Sequence, residues 1–118
     1  VRKELIDMSY NKETGMYEGY IYKIWNECND KIYYGQTIRT VFDRWKQHKY
    51  TSHNNNKILL YRAMNKYGDE NFHVEEVEKH YASTEEELIN VLNERESYCI
   101  RNNNSIMPYG YNMTFGGD

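Results

Sequence analysis

Two segments near the start of the chain have the composition of β-strands. Residues 18–25, EGYIYKIW, and residues 31–35, KIYYG, are rich in aromatic and β-branched residues, which pack well on a pleated surface. The five residues between them, NECND, are turn formers. The pattern therefore predicts an antiparallel hairpin whose second strand ends at Gly35.

Two later segments have apolar residues every three or four positions, as on one face of a helix. In the first, Val41, Trp45 and His48 share a face, and Thr40 precedes them as a candidate N-cap. The second lies in KILLYRAMNKYG and is closed by Gly68, a residue that often ends helices. The residues at helical spacing in this second segment are Ile58, Leu59, Arg62, Ala63 and Lys66.

The second half of the chain adds a strand and a long helix. Residues 71–80, NFHVEEVEKH, alternate apolar and polar side chains and predict a third strand. Residues 83–104 begin with two candidate caps, Ser83 and Thr84, and acids follow in the first turn. The predicted order is β-β-α-α-β-α. It defines an α+β domain in which a small three-stranded antiparallel sheet is flanked by helices.

Length and composition favour one domain. The chain has 118 residues, which suits a single core. Residues 1–17 show no clear period, and we assign them to an N-terminal arm of unknown role that precedes a domain at 18–118. No apolar run approaches the roughly 20 residues of a membrane helix. Cys28 and Cys99 stand far apart, which favours reduced thiols in a cytoplasmic protein.

Positive charge is concentrated in the middle of the chain. Residues 31–66 hold eight Lys and Arg against a single acid, Asp43, whereas residues 67–118 hold three basic and eleven acidic residues. A basic block of this kind is typical of a surface that contacts phosphates. The alternative is that the block pairs with the acidic third inside the fold, and charge alone leaves both interpretations open.

Six side chains with useful chemistry could meet at one site. Strands joined by a short turn lie side by side, so the phenols of Tyr22 and Tyr33 can share one face of the sheet. Arg44 and His48 are four residues apart on one helix and therefore face together. The other two are a carboxylate on the last helix and an amide before the glycine-rich tail, namely Glu96 and Asn112.

Phenol, imidazole, guanidinium and carboxylate groups together suit phosphodiester hydrolysis. A carboxylate holds one hard divalent cation, arginine stabilises the negative transition state, and tyrosine or histidine takes a proton from water. A phenol with a pKa near ~10 is a poor base at neutral pH unless positive charge lowers that pKa. Taken singly, each residue has a plainer explanation, because tyrosine pairs on strands usually pack and charged helix residues are usually solvated.

The order and spacing of these residues resemble the GIY-YIG endonucleases. YIY at 20–22 stands for the first motif and YYG at 33–35 for the second, although Tyr20 replaces the usual glycine and Tyr34 the middle isoleucine. DRWKQHKY is similar to the family's arginine helix, ERESYCI to its glutamate helix, and YGYNMTFGG to its closing segment. The resemblance covers about residues 18–117 and is nearest to the phage and group I intron homing branch.

The resemblance implies a role for each side chain. Tyr22 would be the general base, and Tyr33 would hold or polarise the attacking water. Arg44 would contact the scissile phosphate. His48 would assist as a proton shuttle or as a second phosphate contact.

The resemblance also implies a cofactor and a substrate. Glu96, rather than Glu94 two residues earlier, would bind a single Mg²⁺ or Mn²⁺, and Asn112 would support the site. The substrate would be double-stranded DNA, cut one strand at a time by a monomer that could dimerise transiently on DNA. The basic block would supply the DNA-binding residues, which are Lys31, Arg39, Lys46, Lys49, Lys57, Arg62 and Lys66.

Three functions follow from the sequence. The first is a metal-dependent DNA endonuclease. The second is a DNA-binding or scaffold domain that keeps the fold without catalysis. The third is a binding module of unrelated fold with a tyrosine-rich surface. The intact set of Tyr22, Tyr33, Arg44 and Glu96 favours the first.

Overall fold

A central strand organises the sheet. The computed structural model describes residues 9–116, in which the strands are β1 (Tyr10–Asn11), β2 (Met16–Asn26), β3 (Tyr33–Thr37) and β4 (Phe72–Ala82). Strand β2 pairs antiparallel with all three others. It pairs with β4 over most of its length and with β3 over residues 20–24. The hairpin and the third strand predicted from the sequence are therefore confirmed.

Three helices cover the sheet, and their ends match the predicted caps. They are α1 (Val41–Ser52), α2 (Leu59–Tyr67) and α3 (Glu85–Asn102). The side chains of Thr40 and Thr84 accept hydrogen bonds from the first turns of α1 and α3. Gly68 ends α2 with a φ of 89°, a backbone region that favours glycine. A short 3₁₀ turn, Asp69–Asn71, leads into β4.

Alternate residues of β2 point to two separate apolar clusters, one on each face of the sheet. Tyr22 and Ile24 pack with Trp45, Leu60 and Met64 of α1 and α2. Ile21, on the opposite face, packs with residues of α3 and with Tyr34 of β3. The two faces of the sheet therefore hold different helices, as the period-two geometry of a strand requires.

Three expectations about this fold were wrong in detail. The sheet has four strands rather than three, because Tyr10–Asn11 pairs with residues 16 and 17; two residues are too few to show a period. Gly35 lies in the middle of β3 rather than at its end. The paired strand keeps a glycine here because a Cβ atom would collide with the Tyr22 side chain of the neighbouring strand. The buried face of α2 is formed by Leu60, Tyr61, Ala63 and Met64, of which only Ala63 was in the predicted set; Arg62 and Lys66, predicted to bind DNA, are exposed.

No helix within residues 9–116 is long and apolar enough to cross a membrane.

Candidate active site

A cleft of about 290 Å³ gathers most of the residues with predicted chemistry. Its walls come from β2, β3, α1, α3 and the segment that follows α3, so residues far apart in sequence meet there. The predicted site residues that line it are Tyr22, Tyr33, Arg44, Glu96 and Asn112. The other lining residues are Gln36, Ile58, Met113, Thr114 and Gly116.

The hairpin register places the two tyrosines. Tyr22 pairs with Gly35 and Ile24 pairs with Tyr33, so Tyr22 and Tyr33 are diagonal neighbours whose ring centroids lie 6.4 Å apart. A Cβ atom at Gly35 would lie 2.5 Å from both Cζ and the hydroxyl oxygen of Tyr22. The missing side chain at Gly35 therefore makes room for the Tyr22 ring to lie across β3.

His48 lies between two phenols. Its Nε2 is 2.7 Å from the Tyr22 hydroxyl, and its Nδ1 is 2.7 Å from the Tyr61 hydroxyl. The His48 side chain is 2% exposed, and burial together with the positive charge of Arg44 lowers its pKa to about 3. Because the imidazole is neutral at pH 7, one ring nitrogen donates a proton and the other accepts one.

Both tyrosines of the cleft hold their protons at neutral pH. Burial raises the pKa of Tyr22, and the neighbouring Tyr33 raises it further, while Arg44 acts in the opposite direction. Burial also raises the pKa of Tyr33 to about 12, with the negative charge of Glu96 as the next cause. Arg44 and any added cation in the cleft would favour the ionised phenols, because positive charge stabilises a phenolate.

Glu96 supplies the carboxylate of the cleft. It is 9% exposed, and its Oε1 accepts a 3.3 Å hydrogen bond from Nε2 of Gln36. A Cβ at Gly116 would come within 2.5 Å of the same oxygen, so the backbone of the final segment packs closely against the carboxylate. Glu94, the rival candidate, is exposed on α3 and does not line the cleft.

The donor atoms in the cleft fit one kind of metal better than another. Within residues 9–116 no three His, Cys, Asp or Glu side chains cluster in a way that could hold a metal ion. Zinc sites need three or four such ligands. Mg²⁺ instead takes oxygen ligands and keeps several waters, so one or two carboxylates suffice. Glu96 therefore fits a hydrated Mg²⁺ or Mn²⁺ whose other ligands would be waters and phosphate oxygens.

Asn112 fastens the segment after α3 to β3. Its side chain donates to the Tyr34 carbonyl at 2.8 Å and accepts from the Tyr34 amide at 2.9 Å. Its Oδ1 also accepts from the Ser105 hydroxyl at 2.7 Å. Because Tyr34 directly follows Tyr33, this clamp fixes the strand position from which the second cleft tyrosine projects.

The seven predicted DNA-binding residues lie in several places. Lys31, Arg62 and Lys66 line a second groove beside the cleft. The remaining four, Arg39, Lys46, Lys49 and Lys57, are exposed or half-buried. Among these seven, in the part of the chain described, only Lys46 forms an ion pair, with Asp43 of the same helix. None of these seven side chains therefore forms an ion pair with an acid of residues 67–116, although His53 of the same block lies 3.8 Å from Asp69 and Arg44 shares the cleft with Glu96.

Three residues that the sequence did not single out belong to the site. Tyr61 bonds His48, Gln36 bonds both Glu96 and Asn93, and Gly116 packs against Glu96. Gly116 lies in the closing segment YGYNMTFGG without having been assigned a role, and no signal pairs any of the three with its partner, because the partners lie between 13 and 60 residues away along the chain. The one available signal was a tyrosine beside the apolar face of α2, and tyrosine hydroxyls usually find a partner when buried.

Known proteins share this fold. Residues 18–112 match the model of the GIY-YIG catalytic domain. The structure of the catalytic domain of intron endonuclease I-TevI, an E75A mutant, superposes with a TM-score of 0.67 at 30% identity and covers 84% of this chain and 96% of that one. A second structure, the catalytic domain of homing endonuclease I-TevI, gives a TM-score of 0.65 at 28% identity and covers 81% of this chain and 98% of the other.

The fold and the cleft define a nuclease domain with the architecture of a homing-endonuclease catalytic domain. The chain belongs to the GIY-YIG family. It is also 36% identical over 61 residues to the uncharacterized protein 019R of Invertebrate iridescent virus 6. That match spans 52% of this chain but only 22% of the viral protein.

Proposed function

We propose that this domain is a metal-dependent DNA endonuclease that hydrolyses phosphodiester bonds of double-stranded DNA at a single active site. The observation that carries the proposal is the placement of the Tyr22 hydroxyl, 2.7 Å from Nε2 of His48, in a cleft shared with Arg44 and Glu96. A proton acceptor, a phosphate-binding cation and a carboxylate thus face the same space.

Tyr22 acts as the general base, with His48 as the acceptor of its proton. A phenol with a raised pKa is a poor base by itself, and a His48 whose pKa is about 3 is a poor proton acceptor in the free protein. The negative charge of a bound phosphate would favour the protonated imidazole, so that Tyr22 takes the proton of a water while its own proton passes to Nε2 of His48. This transfer requires the tautomer in which Nδ1 carries the proton and donates it to Tyr61. The hydrogen bonds of His48 to Tyr22 and to Tyr61 are both 2.7 Å long, which is short enough for this proton transfer.

The remaining cleft residues bind and orient the phosphate. Arg44 presents a planar guanidinium that suits phosphate oxygens and stabilises the charge of the transition state. Tyr33 lies beside Tyr22 and orients the water. Asn112 holds Tyr33 in place through the backbone of Tyr34.

Glu96 would hold one Mg²⁺ or Mn²⁺. Such an ion, when bound, neutralises charge on the phosphate and on the leaving oxygen. Gln36 and the backbone at Gly116 restrict the carboxylate to one position, and a fixed ligand costs less entropy on binding.

Exposed cations outside the cleft would hold the DNA. Lysine and arginine side chains that are not neutralised by acids attract phosphates without reading sequence. One active site cuts one strand, so a double-strand break needs two visits or a transient dimer on DNA.

Nicking of supercoiled plasmid tests the proposal. Wild-type protein should convert supercoiled to open-circular plasmid with Mg²⁺ or Mn²⁺ and not with EDTA. Glu96→Ala should abolish nicking, whereas Glu94→Ala, which changes the exposed carboxylate two residues away, should retain it. Folded wild-type protein that binds DNA but does not nick it with either metal would instead indicate a DNA-binding domain without catalysis.

A further inference from the structure

A second groove lies beside the catalytic cleft. We call it the α2 groove; it has a volume of about 470 Å³ and is lined on one side by Leu59, Arg62, Ala63 and Lys66 of α2. Across from them lie Lys31 and the loop that contains Pro108 and Tyr111. These α2 residues belong to the set that the sequence pattern had marked as one helix face. This face borders the groove, and its Ala63 also belongs to the core.

The α2 groove and the cleft are adjacent along two stretches of chain. Ile58 lines the cleft while Leu59 lines the groove, and Asn112 lines the cleft while Tyr111 lines the groove. Consecutive Cα atoms are about 3.8 Å apart, so the two recesses share a stretch of backbone at both places.

The floor of the α2 groove is apolar and aromatic. Ala63 and Tyr111 are 8% and 6% exposed and form its base, together with the half-buried Tyr67 and Leu59. The Tyr111 hydroxyl is taken by Asn29, whose Nδ2 donates to it at 2.8 Å. The rings of Tyr67 and Tyr111 thus contribute carbon surface to the groove, while the Tyr111 hydroxyl is hydrogen-bonded to Asn29.

Its charged residues are all cations. Of the described residues that line the groove, none is an acid, and the three cations are Lys31, Arg62 and Lys66. None of these three forms an ion pair with an acidic side chain of residues 9–116. The Lys66 ammonium lies 5.1 Å from the Tyr67 ring centroid, so an aromatic face and a positive charge are offered together. The volume lies in the range, roughly 300–1,000 Å³, of pockets that enclose small ligands.

We propose that the α2 groove binds an unpaired nucleotide of the DNA strand next to the scissile phosphate. The base lies against Tyr67 and the apolar floor, and its flanking phosphates contact Lys31, Arg62 and Lys66. The domain then prefers DNA with a single-stranded segment beside the cut over fully paired DNA. This inference rests on the proposed function.

An unpaired base explains the groove better than a duplex does. A paired duplex presents phosphates and base edges, and half or more of its contacts with proteins are polar contacts to the backbone. Such a surface would satisfy the cations but leave the aromatic floor without a partner. A base outside the stack exposes a π-face, and proteins that bind single strands combine a basic groove with aromatic side chains for this purpose.

Binding of blunt and tailed DNA, measured with EDTA so that no strand is cut, tests the inference. One probe is a blunt duplex, and the others carry a five-nucleotide 3′ or 5′ tail with 2-aminopurine near the junction. Stacking on an aromatic residue is worth about 1–3 kcal/mol per base, so one of the tailed probes should bind ~5- to 150-fold more tightly than the blunt one. The 2-aminopurine emission of that probe should fall on binding.

Substitutions distinguish the contribution of the α2 groove to DNA binding from that of the rest of the surface. Tyr67→Ala should remove the preference for the tail and the emission change, whereas Tyr50→Ala, which alters a tyrosine that is 78% exposed on α1, should keep both. Arg62→Gln with Lys66→Gln changes two exposed side chains and should not disturb folding. For the tailed probe, the slope of the logarithm of the binding constant against the logarithm of the salt concentration should become less steep by about 0.7 for each lost phosphate contact.

The outcomes distinguish the inference from the proposed function. Equal affinity for blunt and tailed probes, or a preference that survives both groove variants, overturns the unpaired-nucleotide site and leaves the nuclease proposal intact. Failure to bind any of the probes at low salt overturns the nuclease proposal as well.

Discussion

Gly35→Ala should displace the Tyr22 hydroxyl and inactivate the nuclease. The added Cβ would lie 2.5 Å from Cζ and the hydroxyl oxygen of Tyr22, whereas ordinary contacts begin near 3.4 Å. The ring must therefore move by nearly 1 Å, and the hydroxyl cannot keep both its position in the cleft and its 2.7 Å hydrogen bond to His48. The backbone itself tolerates alanine, because Gly35 sits in a regular strand.

The size of the effect follows from overpacking and from misplacement. Inserting a methyl group into a packed site costs about 1–3 kcal/mol of folding free energy. A catalytic group displaced by about 1 Å can lose on the order of 100-fold in rate. We therefore expect a moderately destabilised but folded protein whose nicking rate per folded molecule falls about 100-fold.

Gly19→Ala is the matched control for this experiment. It also adds a Cβ on the central hairpin, but the nearest atom, at 2.7 Å, is the flexible Cδ1 of Leu92 on the opposite face of the sheet. Urea unfolding and plasmid nicking should show a loss of stability with little loss of activity. If Gly35→Ala nicks as fast as Gly19→Ala once corrected for the folded fraction, the position of the Tyr22 hydroxyl does not control the reaction.

Three further predictions concern His48 and its neighbours. Because the pKa of His48 is about 3 in the folded state against 6.5 ordinarily, the unfolded chain alone binds this proton as the pH falls below 6.5. The contribution of His48 to the unfolding free energy should drop by about 1.2 kcal/mol between pH 6 and pH 5, and His48→Gln should flatten that slope in urea titrations. Tyr61→Phe should lower kcat about tenfold with little change in KM, and ¹⁵N NMR should show a changed tautomer of His48; an unchanged spectrum would contradict the role of Tyr61. Arg44→Lys should cost at least ~100-fold in nicking, since a point charge replaces a planar donor, and near-normal activity would remove Arg44 from the phosphate site.

Local sequence patterns determined the elements of this protein. The hairpin, the three helices and β4 follow from residue periods of two and 3.6, and the caps at Thr40, Thr84 and Gly68 follow from short-range hydrogen bonding and backbone freedom. These signals involve residues within one or two turns of each other, so they can be recognised from the sequence alone. The motifs around Tyr22, Tyr33, Arg44 and Glu96 were legible for the same reason, since each sits at a fixed place on one element.

Only the tertiary structure decided which residues of different elements contact one another. The sequence did not show that Gly35 gives space to Tyr22, because that depends on the register of β2 against β3. It did not show that Tyr61 bonds His48, because that depends on how α1 packs on α2. It did not show that Leu59, Arg62 and Lys66 of α2 border a groove with Lys31 and Tyr111, because that depends on how α2 lies against the segment after α3. Each of these contacts joins residues on different elements, and the relative placement of elements is fixed by packing of the whole domain rather than by any local pattern.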